Sequence, residues 1–178
     1  VRAVPGRLGE VADAALSAAR AAGATYADIR LVRTRSERLG TRDDHLNSAS
    51  TSESFGAGVR VLVKGTWGFA GTQDVTVAGA KAAAAKAVEI ARASSRLRKE
   101  PVVLAALTPV KDTWQTPMSK DPVRVPLARK LEIRFEVNRR ARAGSAPVVA
   151  VHGQLHAVSE EKLFVSSEGA EIDQTLVR

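Results

Sequence analysis

Residues 55–72 read FGAGVRVLVKGTWGFAGT. Val59, Val61 and Val63 alternate with other residues, so in an extended chain they share one face. Lys64-Gly65 supplies a turn, and the chain returns through Trp67 and Phe69, which again share a face. This is the pattern of a strand, a tight turn and a second strand. Gly56 and Gly58 mark a bulge or a close approach to the backbone. Core packing is the expectation for Trp67 and Phe69; a platform touching substrate is the alternative.

The pattern extends in both directions. In residues 26–40, YADIRLVRTRSERLG, Ile29 and Leu31 point one way while Asp28 and Arg30 point the other. That predicts a strand with one wet face. TRDDH is turn chemistry, and LNSASTSES reads as a separate polar strand before the hairpin. Upstream, residues 7–22 place Leu8, Val11, Ala12, Ala15 and Leu16 on one helical stripe, with Gly23 as the stop. Downstream, residues 74–98 form an Ala-rich helix that Asp74 or Thr76 can cap. Its lean face predicts close packing on a sheet. Residues 100–120 hold three prolines and no period, which predicts an extended connector across the surface. Asp121-Pro122 opens a helix over 122–143, with Leu127, Leu131, Ile133, Phe135 and Val137 as its buried side. The tail reads as three strands, with turns at Ser159-Glu160-Glu161 and Ser167-Glu168-Gly169. A last strand running into the terminus suggests that the natural chain continues.

The expected fold class is therefore α+β: an antiparallel-rich sheet with helices packed on one face. The expected organisation is one domain over 1–178. It divides into a helix–meander–helix part (1–99), the connector (100–121), and a helix with C-terminal strands (122–178).

Composition narrows the function classes. The apolar share is 44% but aromatics are only 4%, so the core must be built from small aliphatic side chains. Without cysteine there are no disulfides and no thiolate metal sites, which fits a cytosolic setting. No leader peptide is visible, and charge breaks every long apolar run, which excludes a membrane-spanning helix. The net charge is +8, yet acids are interspersed throughout. The densest basic stretches, 92–99 and 139–142, fall at expected helix ends, where cations complement the dipole. This argues against a nucleic-acid surface.

His152 and His156 are the pair most suggestive of metal. On a helix, that spacing would let them share a zinc ion. In a β-branched stretch containing Gly153 they lie about 13 Å apart along a strand, too far to share one. The zinc-protease helix also needs Glu directly after the first His, and Gly153 stands there. His45 sits in an Asp-rich turn. Glu160 and Glu161 are adjacent, so on a strand they face opposite sides and form no acid–base pair. The chain contains no phosphate-binding loop and no nucleophile elbow.

Four pieces together resemble one family: YADIRLVRTRSERL, SESFGAGVRVLVKGTWGFAGT, the helix AKAAAAKAVEIARAS, and LFVSSEGAEIDQTLVR. Their order resembles the N-terminal half of the TldD/PmbA proteins, once called modulators of DNA gyrase and classed as metallopeptidases. The resemblance implies a non-catalytic N-terminal domain, followed in the parent by a largely β C-terminal domain. In TldD-type subunits that second domain carries zinc on an H-E-x-x-x-H helix. Such subunits pair with PmbA-type (TldE) partners that lack the motif, in an oligomeric cytoplasmic peptidase for small or unfolded peptides. No H-E-x-x-x-H occurs in this chain, so no catalytic, cofactor or metal residue carries over to any position, and the chain alone is expected to be inactive. GTWGFAGT leans the reading to the TldD side; a PmbA-like partner subunit is the alternative, and a gyrase-modulating, nucleic-acid-associated protein is a third. The expected partners are a second TldD/PmbA-type subunit and an extended peptide. The peptide could add as a strand to an exposed sheet edge, with Val59, Val61 and Val63 or the strand 161–167 as contributors.

Overall fold

The structure is a computed structural model that describes residues 6–144 and 147–178. Residues 1–5, on which the reading against a leader partly rests, lie outside that range. In chain order the elements are α1 (Gly6–Ala21), β1 (Tyr26–Arg42), β2 (His45–Val63), β3 (Thr66–Thr72), α2 (Val77–Ser94), β4 (Lys111–Gln115), a 3-10 turn (Pro122–Arg124), α3 (Leu127–Arg142), β5 (His152–Ser166) and β6 (Glu171–Val177). The six strands form one sheet in the order β3-β2-β1-β5-β6-β4. The fold is α+β, as the sequence predicts.

The contacts cluster into two compact units. Among the described residues, the first comprises 6–33, 55–114 and 161–175; the second comprises 34–54, 115–144, 147–160 and 176–178.

In the first unit the hairpin forms as read. β2 and β3 pair antiparallel, with Val63 opposite Thr66, Val61 opposite Gly68 and Val59 opposite Ala70. Lys64 and Gly65 both adopt positive φ, 50° and 70°, the requirement of a two-residue hairpin turn. Val59, Val61 and Val63 are buried with Ile29, Leu31 and Leu163 beneath α1 and α2. Each such aliphatic side chain contributes about 1.5–3 kcal/mol when fully buried. The helices meet this core through Ala12, Ala15 and Ala19 of α1 and Ala80, Ala84, Ala87 and Ala91 of α2. The small side chains let α2 settle onto β3. A Cβ at Gly68 would collide with the Ala87 carbonyl oxygen and lie 2.7 Å from the Ala91 nitrogen. The Thr76 hydroxyl caps α2 by accepting the Gly79 N–H at 3.1 Å.

The second unit is held differently. α3 presents Lys130, Arg134 and Asn138 along one stripe, and Lys130 and Asn138 are buried. Lys130 Nζ reaches Glu37 at 2.6 Å. Asn138 donates to the Thr41 hydroxyl at 3.3 Å and to the Asp43 carbonyl. Asp43, at φ 52°, sits in the β1–β2 turn. Its carboxylate accepts the Val151 N–H at 2.8 Å and meets Arg142 at 2.5 Å.

Several expectations are corrected. The polar stretch 46–54 is not a separate strand but the first half of the 19-residue β2. Ser159-Glu160-Glu161 makes no turn, and the tail has two strands rather than three. β5 runs through that point because it is paired to β1 on one side and β6 on the other, and ladder bonding outweighs the local preference of Ser and Glu. The connector contributes an edge strand, β4. The helix expected over 122–143 breaks at Pro126: Val125 is extended at φ −67°, ψ 128°, as a residue before proline prefers. The apolar side chains assigned to its buried face are not buried, with Leu127, Ile133 and Val137 exposed and Leu131 and Phe135 half-buried. On the face of β1 expected to be wet, Asp28 is fully buried while Arg30 is 38% exposed. Neither proposed edge is an edge: β2 and β5 both lie inside the sheet, and the free edges are β3 and β4.

Candidate functional site

Helices cover one face of the first unit's strands. Strand alternation then places Tyr26, Asp28 and Arg30 of β1, Arg60 of β2, Trp67 and Phe69 of β3 and Phe164 of β5 on the opposite face. They form a row across the sheet. Trp67 lies under the Arg60 guanidinium, 4.5 Å from its ring centroid. Arg60 donates to Asp28 from Nε at 2.8 Å and pairs from Nη2 at 2.7 Å. Arg30 Nη1 reaches the other oxygen of Asp28 at 2.7 Å. The Arg30 guanidinium stands 5.0 Å from the centroid of Phe164. Tyr26 packs edge-on against Trp67, with ring centroids 5.7 Å apart. Phe69 extends the row over Gly58, where a Cβ would meet the ring at 3.0 Å.

The electrostatics follow from this packing. Burial, then the negative charge of Asp28, pushes the Tyr26 phenol above its ordinary pKa. Burial opposes the charge of Arg60, but its bond to Asp28 and the charge of Asp28 outweigh that, so the guanidinium is held above its usual value. Two guanidiniums share one carboxylate. Each Arg side chain is 38% exposed, and a guanidinium carries five N–H donors. Donors therefore remain for a carbonyl or carboxylate brought to this face. Phe69, 58% exposed, offers a flat apolar surface beside them. Such a surface can bind an extended chain by stacking and hydrogen bonding.

The expected core role of Trp67 and Phe69 is corrected: they lie on the helix-free face, Trp67 half-buried and Phe69 exposed. The row itself was missed. Its signal was present in the period-two spacing of Tyr26, Asp28 and Arg30, but Arg60 and Trp67 join only through the hairpin register. His152 and His156 lie on β5 as strand residues, both exposed, and Arg38 Nε donates to His156 Nε2 at 3.4 Å. His45 is an exposed residue at the start of β2, and Glu160 and Glu161 lie side by side in β5. Among the described residues no three His, Cys, Asp or Glu side chains converge to hold a metal ion. None of the described helices is long and apolar enough to cross a membrane.

Residues 27–91 match the family model described as PmbA/TldA metallopeptidase domain 1. That span contains Asp28, Arg30, Arg60, Trp67 and Phe69. The chain is 24% identical over 153 residues to a metalloprotease of Methanocaldococcus jannaschii, covering 86% of this chain and 34% of the relative. It is 28% identical to a metalloprotease of Methanothermobacter thermautotrophicus, covering 86% and 32%. In fold it is similar to a candidate modulator of DNA gyrase from Thermotoga maritima, with a TM-score of 0.71 and 16% identity over 95% of this chain and 37% of that one. It is also similar to TldE from Thermococcus kodakarensis, with a TM-score of 0.64 and 15% identity over 91% and 36%. The chain thus spans about a third of the length of the relatives it matches.

Proposed function

We propose that this chain, whose residues 27–91 match PmbA/TldA metallopeptidase domain 1, is the non-catalytic N-terminal domain of a TldD-like zinc metallopeptidase, a cytosolic hydrolase of small or unfolded peptides. The row from Trp67 to Phe164 forms part of the wall along which substrate lies. The observation that carries this reading is that the family match over residues 27–91 contains Asp28, Arg30, Arg60, Trp67 and Phe69 of the row. Aromatic faces and guanidinium donors hold a peptide through its backbone and flat groups, with little demand on its sequence, as a peptidase of unfolded chains requires. The zinc and its ligands would reside in the length that the relatives carry beyond this chain. A second reading, a TldE-like partner subunit without catalysis, is favoured by the likeness in fold to TldE. An H-E-x-x-x-H motif beyond Arg178 separates the two.

The test compares the full-length parent with residues 1–178 for zinc content and for cleavage of an unstructured fluorogenic peptide. The parent is expected to hold zinc and cleave; residues 1–178 are expected to do neither. One tightly bound zinc per 1–178 chain, lost on His152→Ala, would overturn the reading.

A further inference from the structure

Within the first unit, α1, the β5–β6 turn and β4 enclose a cleft of about 330 Å³, the size of a small-ligand pocket. Leu16 and Val165 line its floor. Leu16 belongs to the core beneath the helices and Val165 packs against it, so the cleft lies on the helix side of the strands, away from the row. The rim is charged: Asp13 and Arg20 come from α1, Lys111 from β4 and Glu171 from β6. Asp13 and Arg20 are seven residues apart. On a helix that spacing puts them on one stripe, about 10.5 Å apart along the axis. Arg20 stands in the last turn of α1, where a cation complements the dipole, yet among the described residues neither Asp13 nor Arg20 has an ion-pair partner. Lys111 Nζ meets Glu171 at 3.7 Å, with the two side chains 72% and 49% exposed. Such a pair is weak and opens readily to a ligand. The wall that carries it is fixed, because the Glu171 N–H donates to the Val110 carbonyl at 2.9 Å.

We propose that this cleft binds a short peptide of about three residues with both ends free. The peptide's ammonium group pairs with Asp13, its carboxylate pairs with Arg20, and its side chains rest on Leu16 and Val165. An extended chain spans at most about 3.3–3.6 Å per residue, so the ends of a tripeptide stand about 10–11 Å apart, the span from Asp13 to Arg20. A free amino acid is too short to reach both. Lys111 and Glu171, on the strand wall, offer a further donor and acceptor to the peptide's amides. None of the row's residues takes part. The inference rests on the peptidase reading only for the source of the ligand, since peptides of this size are what cleavage of unfolded chains releases.

The experiment is equilibrium dialysis of labelled trialanine against the full-length parent, as wild type, Arg20→Gln, Asp13→Asn and Arg60→Gln, with the bound label identified as intact peptide by mass spectrometry. The wild type is expected to bind trialanine saturably. Arg20→Gln and Asp13→Asn are each expected to weaken that binding about tenfold, as the loss of one charge-assisted contact does. Blocking both ends, as in N-acetyl-trialanine amide, is expected to weaken it at least as much. Asp13 and Arg20 are exposed, so both variants should fold, and denaturation midpoints check this. The absence of saturable binding at millimolar peptide overturns the proposal, as does equal binding of the blocked peptide. Binding lost in Arg60→Gln and kept in Arg20→Gln also overturns it, because the peptide then lies on the row. A parent that binds trialanine through Asp13 and Arg20 yet cleaves no peptide defeats the peptidase reading alone and leaves the cleft standing.

Discussion

Asp28 is fully buried between two guanidiniums that are each 38% exposed, and that asymmetry sets the cost of removing it. Breaking a fully buried ion pair costs about 3–5 kcal/mol because a charge is stranded. Here both Arg30 and Arg60 can turn to water, so Asp28→Asn is expected to destabilise by about 2 kcal/mol, read from urea midpoints. Asp43 gives a pH dependence of known sign. The Val151 N–H, opposed in part by burial and aided by Arg142, holds its pKa below the ordinary carboxylate value. Its stabilisation is therefore complete above the ordinary value of 3.8 and is lost as pH falls below that through the depressed one. Asp43→Asn should flatten the loss of stability in that window. A residual slope should remain from Glu136, which Arg140 and Arg139 also hold below its ordinary value.

At the scale of elements, the alternation of Val59, Val61 and Val63 and the Lys64-Gly65 turn made the hairpin legible, because strand period and turn chemistry are local. The Ala-rich α2 and its Thr76 cap were legible for the same reason. What failed was set by partners distant in sequence. Lys130 and Asn138 are buried because Glu37, Thr41 and Asp43 lie opposite them, which no helical period records. β5 passes through Glu160 because both of its neighbours pair with it. The candidate site was half legible: the sequence groups Asp28 with Arg30 and Trp67 with Phe69 by face, but the burial of Asp28 and the exposure of Phe69 depend on partners in other strands. The close seat of α2 on β3 predicts that Gly68→Ala destabilises by about 1–3 kcal/mol, because the obstacle is helix backbone that cannot swing aside. Thermal melts of the variant check it.

At the scale of the whole molecule, this chain is about a third of the length of its relatives, and the first reading to test is that of the aromatic and cationic face of the first unit as a wall for substrate. The most direct test of the first is the kinetics of peptide cleavage by the full-length parent carrying Phe69→Ala or Arg60→Gln, with zinc content and denaturation midpoint measured alongside. Phe69 is largely exposed, so its loss should leave stability nearly unchanged. The account predicts a KM raised about tenfold for each variant with kcat within about twofold, the signature of lost substrate binding. Folded, zinc-loaded variants that cleave with unchanged KM would contradict it.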